Sequence, residues 1–169
     1  IYSFLLFMNV ALNPDNFHIE YTSLLDSKKN IITTDGIFTK IIFSNRLFVM
    51  NGVFFYFPIH IDNVINSNGR FFINFNPNSK NNYKIINNIS KIEHQLLSFY
   101  KKSNNCNKNI AQLLTNQLFA GNIKVYKDNN DLLNNLNFTD KQFILKISGI
   151  WESKHEYGIT YKTIVASKL

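Results

Sequence analysis

Cations and aromatic rings alternate through the first half of the chain: Lys40, Arg46, Phe48, Phe54, Phe55, Tyr56, Arg70, Phe71 and Phe72 fall within about thirty residues. A second group, Lys146, Trp151, Tyr161 and Lys162, closes the chain. Cations neutralise phosphates and rings stack on bases, so this pairing equips a protein to hold single-stranded nucleic acid. The competing demand is the core, because a Phe on a strand is more often buried than displayed. Phe54-Phe55 and Phe71-Phe72 divide that demand, since neighbours on a strand face opposite sides. One ring of each pair must then find a helix, a subunit or a ligand. The candidate nucleic-acid-binding residues are Lys40, Arg46, Phe54, Tyr56, Arg70, Phe72, Lys146, Trp151, Tyr161 and Lys162.

Residues for covalent or acid–base chemistry are scarce. The sequence has no phosphate-cradling glycine loop, nucleophile elbow or histidine pair at helical spacing. It has eleven acidic residues. Glu93 and His94 are helix neighbours about 100° apart, which reads as surface polarity rather than an acid–base pair. The four histidines His18, His60, His94 and His155 are scattered, and the one cysteine, Cys106, excludes an internal disulfide and a multi-cysteine zinc site. Cys106 lies among asparagines and reads as an incidental thiol in a polar loop. The expectation is a non-catalytic protein with no metal and no cofactor.

Composition narrows the partner. Eighteen basic against eleven acidic residues give a formal charge of +7, which favours a polyanion. Asn, Ile, Lys and Phe dominate, as an AT-rich coding sequence imposes, so part of this basicity is compositional. Arg46 and Arg70 are the only arginines. Base-specific readout leans on bidentate Arg, so this charge suits sequence-tolerant contact with the backbone.

The 169 residues, 45% hydrophobic and 15% aromatic, fit a single folded domain spanning 1–169. No apolar run approaches the roughly 20 residues of a membrane span, and a soluble, intracellular protein is expected. Residues 1–12 read as a buried strand rather than a leader, and an initial Ile implies that residues precede it.

Runs rich in Phe, Ile, Val, Tyr and Thr predict strands at 17–24, 37–43, 47–57 and 70–75. The dipeptides Asp35-Gly36, Asn51-Gly52 and Asn68-Gly69 predict tight bends. Between Tyr83 and Lys102 the period lengthens: Ile85, Ile89, Ile92, Leu96 and Phe99 or Tyr100 make one apolar stripe on a helix. A shorter helix follows over Ile110, Leu113, Leu114 and Leu118, stopping at Gly121. Ile123–Tyr126 reads as a strand and 127–137 as a loop. Strands at 143–150 and 158–165 form a terminal hairpin. The fold class expected is α+β, mainly β: an antiparallel sheet or OB-like barrel with one or two packed helices and a C-terminal β-hairpin.

That hairpin, Ser148-Gly149-Ile150-Trp151 followed by Gly158-Ile159-Thr160-Tyr161-Lys162, resembles the C-terminal part of single-stranded DNA-binding proteins of large eukaryotic double-stranded DNA viruses. These are similar in role to phage helix-destabilising proteins. The upstream order is also similar: Phe57-Pro58-Ile59, a strand at 71–75, then a helix with Ile89, Ile92 and Glu93. The likeness runs from about Gly36 to the end, and only the hairpin is specific. It implies an oligonucleotide-binding core, no enzymatic activity, and protection of unwound DNA in viral replication or recombination. The implied partners are single-stranded DNA, with RNA as a second acceptable polymer, replication proteins and further copies of the chain; the implied setting is the host nucleus or viral replication site. Two features depart from the family: Pro58-Ile59-His60 stands where a glycine-containing turn is expected, and the chain ends Ser167-Lys168-Leu169 rather than in an acidic tail. The alternative is a virion or assembly protein joined through its paired-Phe strands. A large exposed patch at Phe55 or Phe72 without basic neighbours would mark it.

Overall fold

A computed structural model describes residues 11–30, 35–126 and 141–167. The elements, in chain order, are β1 (Thr22–Leu24), β2 (Lys28–Lys29), β3 (Ile37–Ser44), β4 (Val49–Asn51), β5 (Val53–Tyr56), β6 (Asn63–Ser67), β7 (Arg70–Asn74), α1 (Lys80–Asn104), β8 (Asn109–Ala111), α2 (Leu113–Phe119), β9 (Asn122–Tyr126), β10 (Lys141–Glu152) and β11 (Glu156–Ser167).

The β10–β11 hairpin is the spine of the sheet. Its antiparallel register runs from Lys141 opposite Ser167 to Glu152 opposite Tyr157, with one irregularity between Ile147 and Gly149. That irregularity leaves Ser148 as an extra residue and resets the alternation, as a bulge does. On one side of β10, β5 covers Ile144–Ile147 and β3 covers Gly149–Glu152. On the other side of the hairpin, β11 is followed by β9, β7 and β6. Strands β8 and β9 run parallel to β11, and the remaining pairs of named strands are antiparallel. The sheet is therefore mixed and does not close. Of the two forms expected, a sheet rather than a closed barrel is adopted, though the β8 and β9 pairings with β11 are parallel where an antiparallel sheet was expected.

One face of this sheet carries the core. Phe143, Leu145, Ile147, Ile150, Tyr157 and Ile159 bury against Ile41, Phe43, Val53, Phe55, Ile73 and Ile123, and against Ile86, Ile89, Leu96 and Leu97 of α1. Helix α1 forms because its apolar residues recur at three and four and its ends are closed. Ser79 caps the start by accepting a hydrogen bond from Asn82 N at 3.4 Å, and Asn105 ends it in the left-handed region at φ 49°. Lys101 and Lys102 occupy the last turn, where cations offset the helix dipole.

Several sequence expectations are altered. Residues 17–24 form a 3-10 turn at Ile19–Tyr21 before β1 begins, because only three residues there find a partner, opposite Phe43, Ile42 and Ile41. The expected strand at 47–57 breaks at Gly52, whose φ of +85° and whose approach to Ile147 O leave no room for a Cβ. Asn63–Ser67, polar and mostly exposed, pairs with β7 as a strand that no hydrophobic run marks. Ile110 lies in β8 beside Tyr157, not in the second helix. Cys106 is buried at 6% exposure rather than displayed in a polar loop. Positive φ at Asp35, Gly52, Asn68 and Gly69 matches the expected bends. The strand expected over 1–12 and the loop over 127–137 lie outside the described residues, apart from the end of the former.

Candidate nucleic-acid interface

The sheet face turned away from the core is built by the same alternation. Directly paired residues of neighbouring strands share a face, so the register can be read as rows. Lys28, Phe38 and Trp151 align across β2, β3 and β10. Lys40, Gly149 and Thr160 form the next row, and Phe54, Lys146 and Lys162 the one after it. Tyr56, Ile144, Ile164 and Tyr126 follow, while Ile65, Phe72 and Lys124 align at the far side. Arg70 shares the parity of Phe72 and ends the row of β7. Ile164 is buried yet stands outside the main core cluster, as expected of a residue on the second face.

Among the described residues this face carries six cations, Lys28, Lys40, Arg70, Lys124, Lys146 and Lys162, and six aromatic rings, Phe38, Phe54, Tyr56, Phe72, Tyr126 and Trp151. Lys146 and Lys162 are directly opposite across the central hairpin. Lys146 Nζ lies 4.7 Å over the Phe54 ring and Lys124 Nζ 4.3 Å over the Tyr126 ring. Each such contact is worth about 0.5–1 kcal/mol at an exposed site and keeps ring and charge together. In the described strands the only carboxylates are Glu152 and Glu156, both at the hairpin tip.

Glycine shapes the surface at two positions on this face, Gly149 and Gly158. A Cβ on Gly158 would meet Trp151 Cζ2 at 2.8 Å, and one on Gly149 would meet Phe38 Cζ at 2.5 Å. The indole and the phenyl ring therefore rest on bare backbone, half-buried, instead of standing off the sheet.

The opposite, core-side face absorbs the remaining polar groups. Glu152 accepts hydrogen bonds from Tyr100 Oη at 2.6 Å and Lys108 Nζ at 2.5 Å. Burial pushes its carboxyl up, but the bonds from Lys108 and Tyr100 outweigh burial and hold it below its ordinary value. Burial and the bond to Glu152 push the Tyr100 hydroxyl up to about 12. Glu93, wholly buried, accepts from Leu114 N, Thr115 N and Thr115 Oγ1 at 3.3, 2.8 and 2.5 Å. It caps α2 from outside, and burial raises its pKa despite those bonds. Glu93 is therefore not the surface residue expected from the sequence, whereas its neighbour His94 is exposed.

The expected site residues thus separate. Lys40, Phe54, Tyr56, Arg70, Phe72, Lys146, Trp151 and Lys162 come together on the second face. Arg46 is exposed in the turn between β3 and β4, beyond the strand residues of that face. Tyr161 is on the core side opposite Ile147, where its hydroxyl donates to Gln117 Oε1 at 2.9 Å and burial pushes it up to about 12. Lys28, Phe38, Lys124 and Tyr126 were missed. Lys124 and Tyr126 alternate within a strand the sequence reveals, whereas nothing local marks the two-residue β2.

No family model, curated protein or solved structure matches this chain. The functional reading therefore rests on the geometry of the face. Among the described residues no group of three or more His, Cys, Asp or Glu could hold a metal ion, and no helix is long and apolar enough to cross a membrane. A shallow depression lined by Ser98, Lys101, Lys102, Asn105, Cys106 and Asn107 lies at the end of α1, away from the aromatic rows.

Proposed function

We propose that this protein binds single-stranded DNA without strong sequence preference and without catalysis, through the sheet face opposite the helices. The observation that carries the reading is the interleaving of six cations with six rings on one face, in described strands whose only carboxylates are Glu152 and Glu156 at the hairpin tip. From β2 to β6 the face crosses seven strands, roughly 29 Å at about 4.8 Å per strand. That span suits several nucleotides with their phosphates on lysines and bases on rings. The hairpin's resemblance to viral single-stranded DNA-binding proteins supplies the setting, protection of unwound DNA during viral replication or recombination.

The assembly-protein alternative required Phe55 or Phe72 in an apolar patch without cations. Phe55 is fully buried and Phe72 stands opposite Lys124. Fluorescence anisotropy of a labelled mixed-sequence single strand against its duplex, at two salt concentrations, tests the reading. Tighter, salt-sensitive binding to the single strand is expected. Equal, weak binding to both forms would overturn it and favour assembly.

A further inference from the structure

Resting on that reading, we infer that Trp151 and Phe38 form a two-base seat, and that this seat makes the face selective for unpaired bases. The two rings are on opposed residues of β10 and β3, and each lies over a glycine of the next strand. Trp151 lies over Gly158 of β11, while Phe38 lies over Gly149 of β10. Gly149 and Gly158 are diagonal neighbours, because Gly149 is opposite Thr160 and Trp151 opposite Gly158. Diagonal neighbours in a sheet are roughly 7–8 Å apart. Bases in a duplex repeat every 3.4 Å along a strand. Two consecutive bases can occupy both seats only if they unstack, which a single strand permits and a duplex resists.

The surroundings favour that ligand on the Phe38 side, whereas Glu156, two residues from Gly158, shares the face beyond the Trp151 seat. Lys28 is opposite Phe38 and Lys40 opposite Gly149, so cations border the seats where the connecting phosphates must pass. Thr160 is exposed beside Gly149 and offers a hydroxyl to a base edge. The glycines act as the floor of the seat: a Cβ at Gly149 would meet Thr39 O and, at 2.5 Å, Phe38 Cζ, and one at Gly158 would meet Ala111 O at 2.7 Å and Trp151 Cζ2 at 2.8 Å, so a side chain there would displace both backbone and ring. A purely structural role for the rings, covering bare backbone, requires apolar bulk but not aromaticity.

That distinction sets the experiment. Trp151→Leu and Phe38→Leu keep apolar cover and remove the π-face, and circular dichroism with thermal melting verifies that each folds. Single-strand and duplex affinities are measured by anisotropy with labelled oligothymidylate and with a mixed-sequence duplex. Each variant is expected to weaken single-strand binding about tenfold, leave the salt slope unchanged, and leave duplex binding unchanged. Because Trp151 is the only tryptophan, its fluorescence should also quench as oligothymidylate saturates the wild-type protein. Wild-type affinity in both folded variants, without quenching, would overturn the two-base seat while leaving the function reading intact. Absence of any single-strand preference in the wild-type protein would instead overturn the function reading itself.

Discussion

Lys146 and Lys162 carry the charge argument at the scale of single residues. They are paired directly across the central hairpin, where one phosphate can lie within reach of both. Lys146→Glu with Lys162→Glu is expected to weaken single-strand binding and to reduce the slope of log K against log salt by about 1.4, from the roughly 0.7 that each lost phosphate contact contributes. Anisotropy titrations at several salt concentrations measure it. Arg46→Glu is the matching control, because Arg46 stands off the face; unaltered affinity is expected, and a loss equal to that of the double variant would break the assignment. Tyr161 shows why adjacency in sequence misleads here. It neighbours Lys162, so it must point to the other side of the strand, where Gln117 holds it. The strand pattern located the hairpin but could not assign its faces, because the extra residue at Ser148 shifts the parity of everything on its tip side.

Glu93 joins two elements, and its prediction belongs at that scale. Helix α2 begins without a capping side chain of its own, so the carboxylate reaching from α1 satisfies its first N–H groups. Glu93→Ala should cost about 1–3 kcal/mol, because buried donors lose their acceptor. Glu93→Gln keeps an acceptor and removes the charge. Since burial raises the folded pKa above the ordinary 4.5, the stability Glu93 contributes is fully present below about pH 4.5 and is lost as pH rises through the folded value. Urea denaturation from acid to neutral pH should therefore show wild type losing ground to Glu93→Gln; a pH-independent difference would refute the linkage. Glu152 has the opposite sign. Its carboxyl is held low, so its contribution is present above about 4.5 and is lost as pH falls through the folded value. Long elements were legible: the stripe from Ile85 to Tyr100 locates α1, and the Gly149 and Gly158 strands locate the hairpin. Short ones were not. Strands β2 and β8 exist because a longer strand offers them hydrogen bonds, and β6, an Asn-rich run of Asn63–Ser67, forms by pairing along the whole of β7.

At the scale of the molecule, both described helices pack on one face of an open sheet, and the chemistry of the other face, to which we assign the ligand, sets how the proposed binding responds to salt. The core could be anticipated from adjacent Phe pairs, since Phe55 and Phe71 turn inward while Phe54 and Phe72 turn outward. The continuity of the outer face could not, because it depends on β9 running parallel beside β11, a pairing between segments about forty residues apart. That pairing brings Lys124 and Tyr126 onto the face and joins the rows of β10 to those of β7. With six cations engaged, the slope of log K against log salt for a long single strand should approach −4, at about −0.7 per phosphate. Removing Lys124 by a Lys124→Gln substitution should lower its magnitude by about 0.7, as should Lys40→Gln at the other side of the sheet. Equal decrements from the two substitutions would mean that one strand spans the whole face. A decrement from Lys40→Gln alone would confine the ligand to the hairpin side and leave Lys124 and Phe72 outside the binding surface.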